Sequence, residues 1–275
     1  LINILFNEVY KVFARKKIYI FMAVIGIISI FIAISTLATN NMFNSGNLNQ
    51  SAEMAQNEAF MELGVNGQSF PINLLDSLAG LVLPIMIIIL VADIVTSEYT
   101  DGSLKLSLLR QVSRAELLLG KVGALALTLM ILILYIMLLG YILGAILLGW
   151  GNSLMLKGVE LSPAYGVMFT LLVYSLSLLP LLSFGMIILL LAVAFSNEGT
   201  VVGTGVALLI MLSVANQIFH KLSPFFINNY FNIYNLATSN LGLPHLIFGV
   251  FVVLVEGLIF YILSLVVFKR KDILL

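Results

Sequence analysis

KVFARKKIYIFMAVIGIISIFIAISTLA, residues 11–38, sets a cluster of basic residues directly against a run that contains no Asp, Glu, Lys, Arg or His. The hydrocarbon core of a bilayer, about 30 Å thick, takes about 20 mostly apolar residues as a helix. The run from Ile18 to Ala38 meets that length. Ser35, Thr36, Ala38 and Thr39 offer only a loose match to a cleavage site, so the segment reads as a retained span and not a signal peptide. Five further segments pass the same test, about 77–97, 122–149, 165–195, 200–219 and 245–268. The fourth and fifth are divided at Ser196, Asn197, Glu198 and Gly199, because the whole stretch is too long for one helix. The expected fold is an all-α integral membrane protein of six transmembrane helices, one permease domain over residues 1–275. Composition agrees: 61% of the 275 residues are hydrophobic and 9% charged, against roughly 25% charged in a soluble domain.

Charge placement orients the bundle. With the amino terminus inside, Lys11, Arg15, Lys16, Lys17, Lys105, Arg110, Arg114, Lys121, Lys269, Arg270 and Lys271 all fall on the cytoplasmic side, leaving only Lys157 and Lys221 of the 13 basic residues outside. Basic loops resist translocation, so both termini are expected in the cytoplasm and the span number is even. The location expected is the cell membrane, as a multi-pass protein of a bacterial plasma membrane. Net charge is formally zero, which gives no general attraction for nucleic acid. Cysteine is absent, which removes disulfides, thiolate metal sites and cysteine nucleophiles.

The loops have distinct characters. Residues 39–76 form a long external segment carrying Glu53, Glu58, Glu62 and Asp76 without Lys or Arg, and 51–63 could form a short helix stopped by Gly64. Segment 218–244 is studded with Phe219, Phe225, Phe226, Tyr230, Phe231 and Tyr234; it reads either as an aromatic belt at the headgroups or as an external gate. Residues 1–17 place Ile2, Leu5, Phe6, Val9, Val12 and Phe13 at helical spacing, with Glu8, Lys11 and Arg15 largely between them. That pattern predicts an amphipathic elbow helix lying in the inner interface, serving as an anchor or transmitting motion to the first span.

The most specific segment is SEYTDGSLKLSLLRQVSRAELLLGK, residues 97–121. Asp101, Gly102 and Ser103 make a turn that can cap a short helix through Leu109. Ser113 and Glu116 form a capping box for the next helix. Leu104, Leu108 and Leu109, edged by Lys105 and Arg110, need a cover of lipid or protein. This run resembles the cytoplasmic signature of type-two ABC exporter permeases, in which "G-[TS]-L-x-x-L-L", "P-V-S-R" and "L-L-x-G-K" join the second and third of six spans. Here Gly102-Ser103-Leu104, Leu108-Leu109, Val112-Ser113-Arg114 and Leu118-Leu119-Gly120-Lys121 match, while Gln111 stands where many members carry proline.

The resemblance implies a subunit that pairs with a second permease copy, as a homodimer or with a paralogue, and binds a separate ABC ATPase on its cytoplasmic face. It further implies that Leu104–Arg110 is the coupling helix, with Glu98, Gly102, Leu104, Lys105, Leu108, Leu109, Arg110 and Arg114 forming the ATPase-coupling set. ATP and Mg would be bound by that partner. This chain has no G-x-x-x-x-G-K-[ST] phosphate loop, no cofactor or metal site is expected in it, and no catalytic constellation is expected from its Ser, His and acidic residues.

Within the spans, Asp93 and Glu256 are the acids that need an explanation, because a carboxylate in hydrocarbon costs about 2.5–3.5 kcal/mol even on insertion scales. Asp93 is expected to reach the inner interface or pair with a Lys or Arg; Glu256 is either a hydrogen-bonded structural group or part of the transport path. Gly140/Gly144 and Gly199/Gly203 are small-xxx-small pairs that permit close helix approach. Pro84 and Pro180 are expected to kink the second and fourth spans. His220 and His245 read as interfacial residues and not as a metal pair. The leading function is a permease of an ATP-driven exporter for an amphipathic peptide, toxin or drug-like molecule. The alternatives are an ion-coupled secondary transporter using Asp93 and Glu256, and a membrane sensor or scaffold.

Overall fold

A computed structural model describes residues 2–44, 66–100, 113–151, 153–156, 159–234 and 242–271. Helix α1 (Ile2–Ala14) is followed by α2 (Lys17–Asn44), α3 (Phe70–Ala79), α4 (Val82–Thr100), α5 (Arg114–Leu143), α6 (Pro163–Ala194), α7 (Glu198–Ile218) and α8 (Gly242–Arg270). A π-helical turn, Gly144–Leu148, extends α5, and a two-stranded antiparallel hairpin, β1 (Leu154–Leu156) and β2 (Val159–Leu161), joins α5 to α6. Short 3-10 turns at Ser223–Phe225 and Ile227–Tyr230 follow α7. The expected short helix at 51–63 and the coupling helix at Leu104–Arg110 lie outside the described residues.

Among the described residues, 5 helices are long and apolar enough to cross a bilayer: Lys17–Asn41, Arg114–Leu148, Pro163–Ala194, Glu198–Ile218 and Pro244–Arg270. Helices α3 and α4 pass the same test only as a pair bent by 57°. The outward faces carry Ile20, Ile27, Phe31 and Ile34 on α2 and Phe251, Leu254, Leu258 and Ile262 on α8. Apolar stripes of that extent require lipid as solvent. The protein is therefore an α-helical membrane protein.

The bend corrects the expected second span. Its break falls at Gly80 and Leu81, between α3 and α4, and not at Pro84. Pro84 stands in the first turn of α4, where its missing N–H has no helical acceptor to lose. Helix α4 is the most enclosed element after the bend: Leu83, Ile87, Ile88, Val91, Ala92 and Val95 are all buried. It packs against α6 and α7, and α6 in turn packs along α8.

Small residues set the close approaches. At Gly257 of α8 an added Cβ would lie 2.6 Å from Ser183 Oγ of α6, and at Gly205 of α7 it would lie 2.7 Å from Ile88 of α4. Gly140 and Gly144 receive the start of α3; an added Cβ would lie 2.8 Å from Pro71 Cα and 2.7 Å from the Gly67 carbonyl oxygen. The other small-xxx-small pair behaves differently, since Gly203 has nothing within 4 Å and Gly199 meets only Asn197.

The end of the bundle opposite the basic clusters, here the far end, is pinned by bonds to main-chain carbonyls. Gly67 N–H donates to the Gly149 carbonyl at 2.7 Å, Gln68 Nε2 to Gly151 O at 2.9 Å, and Tyr174 OH to Pro71 O at 2.7 Å. The aromatic segment divides in two: Tyr230, Phe231 and Tyr234 are buried, with Phe231 edge-on to Phe184 at 5.3 Å, whereas Phe219 and Phe225 are exposed. Only the exposed half fits a headgroup belt; the buried half plugs the bundle.

Replacing Gly257 with Val should lower the thermal unfolding temperature in detergent, at an overpacking cost of about 1–3 kcal/mol. Gly203→Val should leave it unchanged, because that face is open in the protomer. Circular dichroism of the purified variants checks both.

Candidate functional site: the basic end of the bundle

Lys16 has a φ of 60°, a left-handed conformation uncommon for a residue with a side chain. It closes α1 in the manner of a helix C-cap, with Lys16 N–H donating to Phe13 O at 3.1 Å. The reversal lets its two neighbours converge on one carboxylate. Arg15 approaches Asp93 Oδ1 at 3.2 Å and Lys17 approaches the same oxygen at 2.7 Å. Arg15 also donates to the Asp93 carbonyl at 2.9 Å and to Ser97 Oγ. Lys17 extends the chain of charges to Glu198 Oε1 of α7 at 2.9 Å.

A second group forms where α1 lies on α5. Gly120 and Gly123 leave shallow places on α5 that Ile4 and Leu5 fill; an added Cβ would lie 2.7 Å from Ile4 and 2.6 Å from Leu5. Closeness of the backbones brings Glu8 into the interface. Glu8 Oε2 meets Lys121 Nζ at 3.2 Å with the two side chains 3% and 1% exposed, and Glu8 Oε1 accepts from Lys11 at 2.6 Å. Lys121 further donates to the Ile94 carbonyl of α4 at 2.7 Å. The elbow is thus docked on the bundle through a buried ion pair, with Phe6 and Tyr10 on its outward face. The expected interfacial helix has its basic residues near headgroups; here Lys11 and Arg15 meet the chain's own carboxylates.

The third group closes the remaining helix ends. Ser113 and Glu116 form the expected capping box at the start of α5. Beside it, Arg114 NH1 lies within hydrogen-bonding distance of three carbonyls at the end of α8, Phe268 at 3.1 Å, Lys269 at 2.9 Å and Lys271 at 3.0 Å. Lys271 Nζ donates to Val193 O at 2.7 Å, Ala194 O at 3.2 Å and Ser196 Oγ at 3.0 Å, covering the end of α6. Helix C-termini leave carbonyls unpaired and carry partial negative charge, which cations satisfy. Every described helix except the bent-off α3 is tied into these three groups.

Of the residues expected to couple to an ATPase, Arg114 joins this network and Glu98 belongs to the last turns of α4. Gly102, Leu104, Lys105, Leu108, Leu109 and Arg110 lie outside the described residues. Asp93 is paired, as one of its two expected fates required. Glu256 stands apart at the midpoint of α8, half-buried, with its Oε2 enclosed and without a hydrogen-bond partner. Glu8 and Lys121 were not among the expected site residues. Glu8 shares one helical stripe with Leu5 and Val12, a position where a charge has to turn inward.

Known relatives now bear on this geometry. Residues 52–274 match the family described as "protein of unknown function (DUF2705)". The chain belongs to that family. The match to DUF2705 spans Asp93, Arg114, Lys121, Glu198 and Glu256, and begins beyond Glu8, Arg15 and Lys17. No curated protein matches the chain.

Lys121→Met should cost up to about 3–5 kcal/mol, because it leaves the buried Glu8 Oε2 without its cation and only Lys11 on the other oxygen. Pairing it with Glu8→Leu should recover most of that loss, since no charge is then stranded. Thermal unfolding of the single and double variants measures the difference, and trypsin cleavage at Lys11 and Arg15 reports whether α1 has lifted away.

Proposed function

We propose that this protein is the membrane-spanning permease subunit of an ATP-driven ABC exporter, coupled through residues 98–121 to a separate ATPase. The observation that carries the reading is the setting of that segment. Its two flanks, the end of α4 and the start of α5, are held by Arg15, Lys17, Lys121 and Arg114 in a network that reaches α1, α2, α6, α7 and α8. A push on a short helix between those flanks would be felt by every span at once. The resemblance of residues 97–121 to the type-two exporter signature supports the same reading.

In this account α3 and α4 together make the second of six spans. The basic end faces the cytoplasm of a bacterial cell, as the distribution of Lys and Arg favours. The ATPase, carrying ATP and Mg, docks on Leu104, Leu108 and Leu109, and a second permease copy completes the transporter. The cargo is an amphipathic peptide, toxin or drug-like molecule. An ion-coupled carrier built on Asp93 and Glu256 finds less support, because Asp93 already has two cations within 3.2 Å.

Co-expression with an ABC ATPase from the same genome should give a stable complex. Leu104→Ala with Leu109→Ala should weaken it at least tenfold, about 1.4 kcal/mol, while the permease alone keeps its thermal stability. Failure to form any complex, or a complex indifferent to the double substitution, would overturn the reading. Binding is measured by size-exclusion chromatography and ATP hydrolysis by phosphate release.

A further inference from the structure

Both buried carboxylates among the described residues are met by cations, whereas half-buried Glu256 is not. Glu8 is met by Lys11 and Lys121, and Asp93 by Arg15 and Lys17. Glu256 lies midway along α8 (Gly242–Arg270), as far from water as the helix allows, and its Oε2 has neither a hydrogen-bond donor nor access to solvent. Asp76 Oδ1 shares that lack, but on α3, ten residues long and close to the far end.

The chain's own donors near Glu256 are committed elsewhere. Ser183 Oγ, packed on neighbouring Gly257, donates to Val253 O at 2.8 Å. Tyr230, whose ring lies against Gly249 and clusters with Val252 and Val253 one helical turn away, donates its hydroxyl to Pro224 O. Among the described residues, the bases that bind carboxylates or carbonyls are all at the basic end, and Lys221 is on an exposed turn. Two further acceptor oxygens, Asn228 Oδ1 and Asn232 Oδ1, are likewise enclosed without donors on the segment that holds Tyr230. Among the described residues Glu256 thus has no cation partner, and two amide oxygens on the segment packed against α8 share its lack of donors.

We infer that Glu256 docks a cationic, donor-bearing group, a primary ammonium, belonging to an amphipathic molecule that enters from the bilayer. The approach is lateral: Val255, Leu258 and Ile259, beside Glu256 on α8, face lipid. The same exposed side chains offer an apolar surface to the rest of the molecule, while Val252 and Val253 are buried against Tyr230 and Leu179. A carboxylate in hydrocarbon is tolerated when it meets its countercharge, and here the ligand supplies what the chain does not. Naming that cation as cargo rests on the exporter reading; the site itself does not.

The test uses the full chain in lipid nanodiscs without any ATPase, with decylammonium as probe and decanol as its uncharged counterpart. Dicyclohexylcarbodiimide should modify Glu256, located by mass spectrometry, and decylammonium at about ten times its Kd should cut that modification about tenfold. Decanol should not. Decylammonium should also raise the unfolding temperature of the wild type and of Glu256→Asp, which keeps the carboxyl, and not that of Glu256→Gln. Equal protection by decanol, a Glu256 closed to the carbodiimide, or the same thermal shift in Glu256→Gln would overturn the site. With the ATPase bound, decylammonium should stimulate hydrolysis by wild type and not by Glu256→Gln. Protection at Glu256 with hydrolysis unmoved would overturn only its assignment as cargo.

Discussion

Charge in hydrocarbon has to be answered within reach of a side chain, and the pairing of Glu8 with Lys121 is where this protein meets that demand most completely. Both groups are nearly inaccessible, and each offsets much of the other's desolvation, with Lys11 on the second Glu8 oxygen. Their meeting depends in turn on Gly120 and Gly123, which let α1 lie close enough to α5 for a short carboxylate to arrive. Around that pair the other inner contacts fall into order. Lys121 also reaches the carbonyl of Ile94, so α1, α4 and α5 share one nitrogen. The left-handed turn at Lys16 places Arg15 and Lys17 on Asp93, one residue before Ile94.

The consequence is an uneven molecule. Its far end is held mainly by neutral main-chain bonds, close glycine contacts and an aromatic plug. Its basic end is held by charges and helix caps that cross between nearly all elements. Ion pairs and caps depend sharply on distance, so a small displacement at the flanks of residues 98–121 changes several helices together. A mechanical input at that segment is what an exporter permease requires, and membership of DUF2705 is neutral on the point.

Much of this was legible in the sequence because bilayer thickness leaves so few choices. Five spans follow directly from apolar length, and Ser113 with Glu116 marks the start of α5 to the residue. The bend at Gly80 was hidden because α3 and α4 are both apolar, and Pro84 drew the kink toward itself although the first turn of a helix tolerates it. Two strands of three residues carried no period long enough to read. The site was harder. Asp93 announced itself as an acid in a span, but its partners on either side of Lys16 depend on a φ that no local signal specifies. Glu8 could be placed on the inward stripe with Leu5 and Val12, but its partner Lys121 follows only from the docking of α1 on Gly120 and Gly123.

The central claim is that the buried pair fixes the elbow to the bundle. The absence of cysteine makes the chain ready for paired spin labels, at Tyr10 on the outward face of α1 and at Lys269 at the end of α8, both exposed. Pulsed electron resonance in lipid should give one narrow distance distribution for wild type and a broad one once Lys121 is replaced by Met. A broad distribution in wild type, or one that Lys121→Met leaves unaltered, would contradict the account.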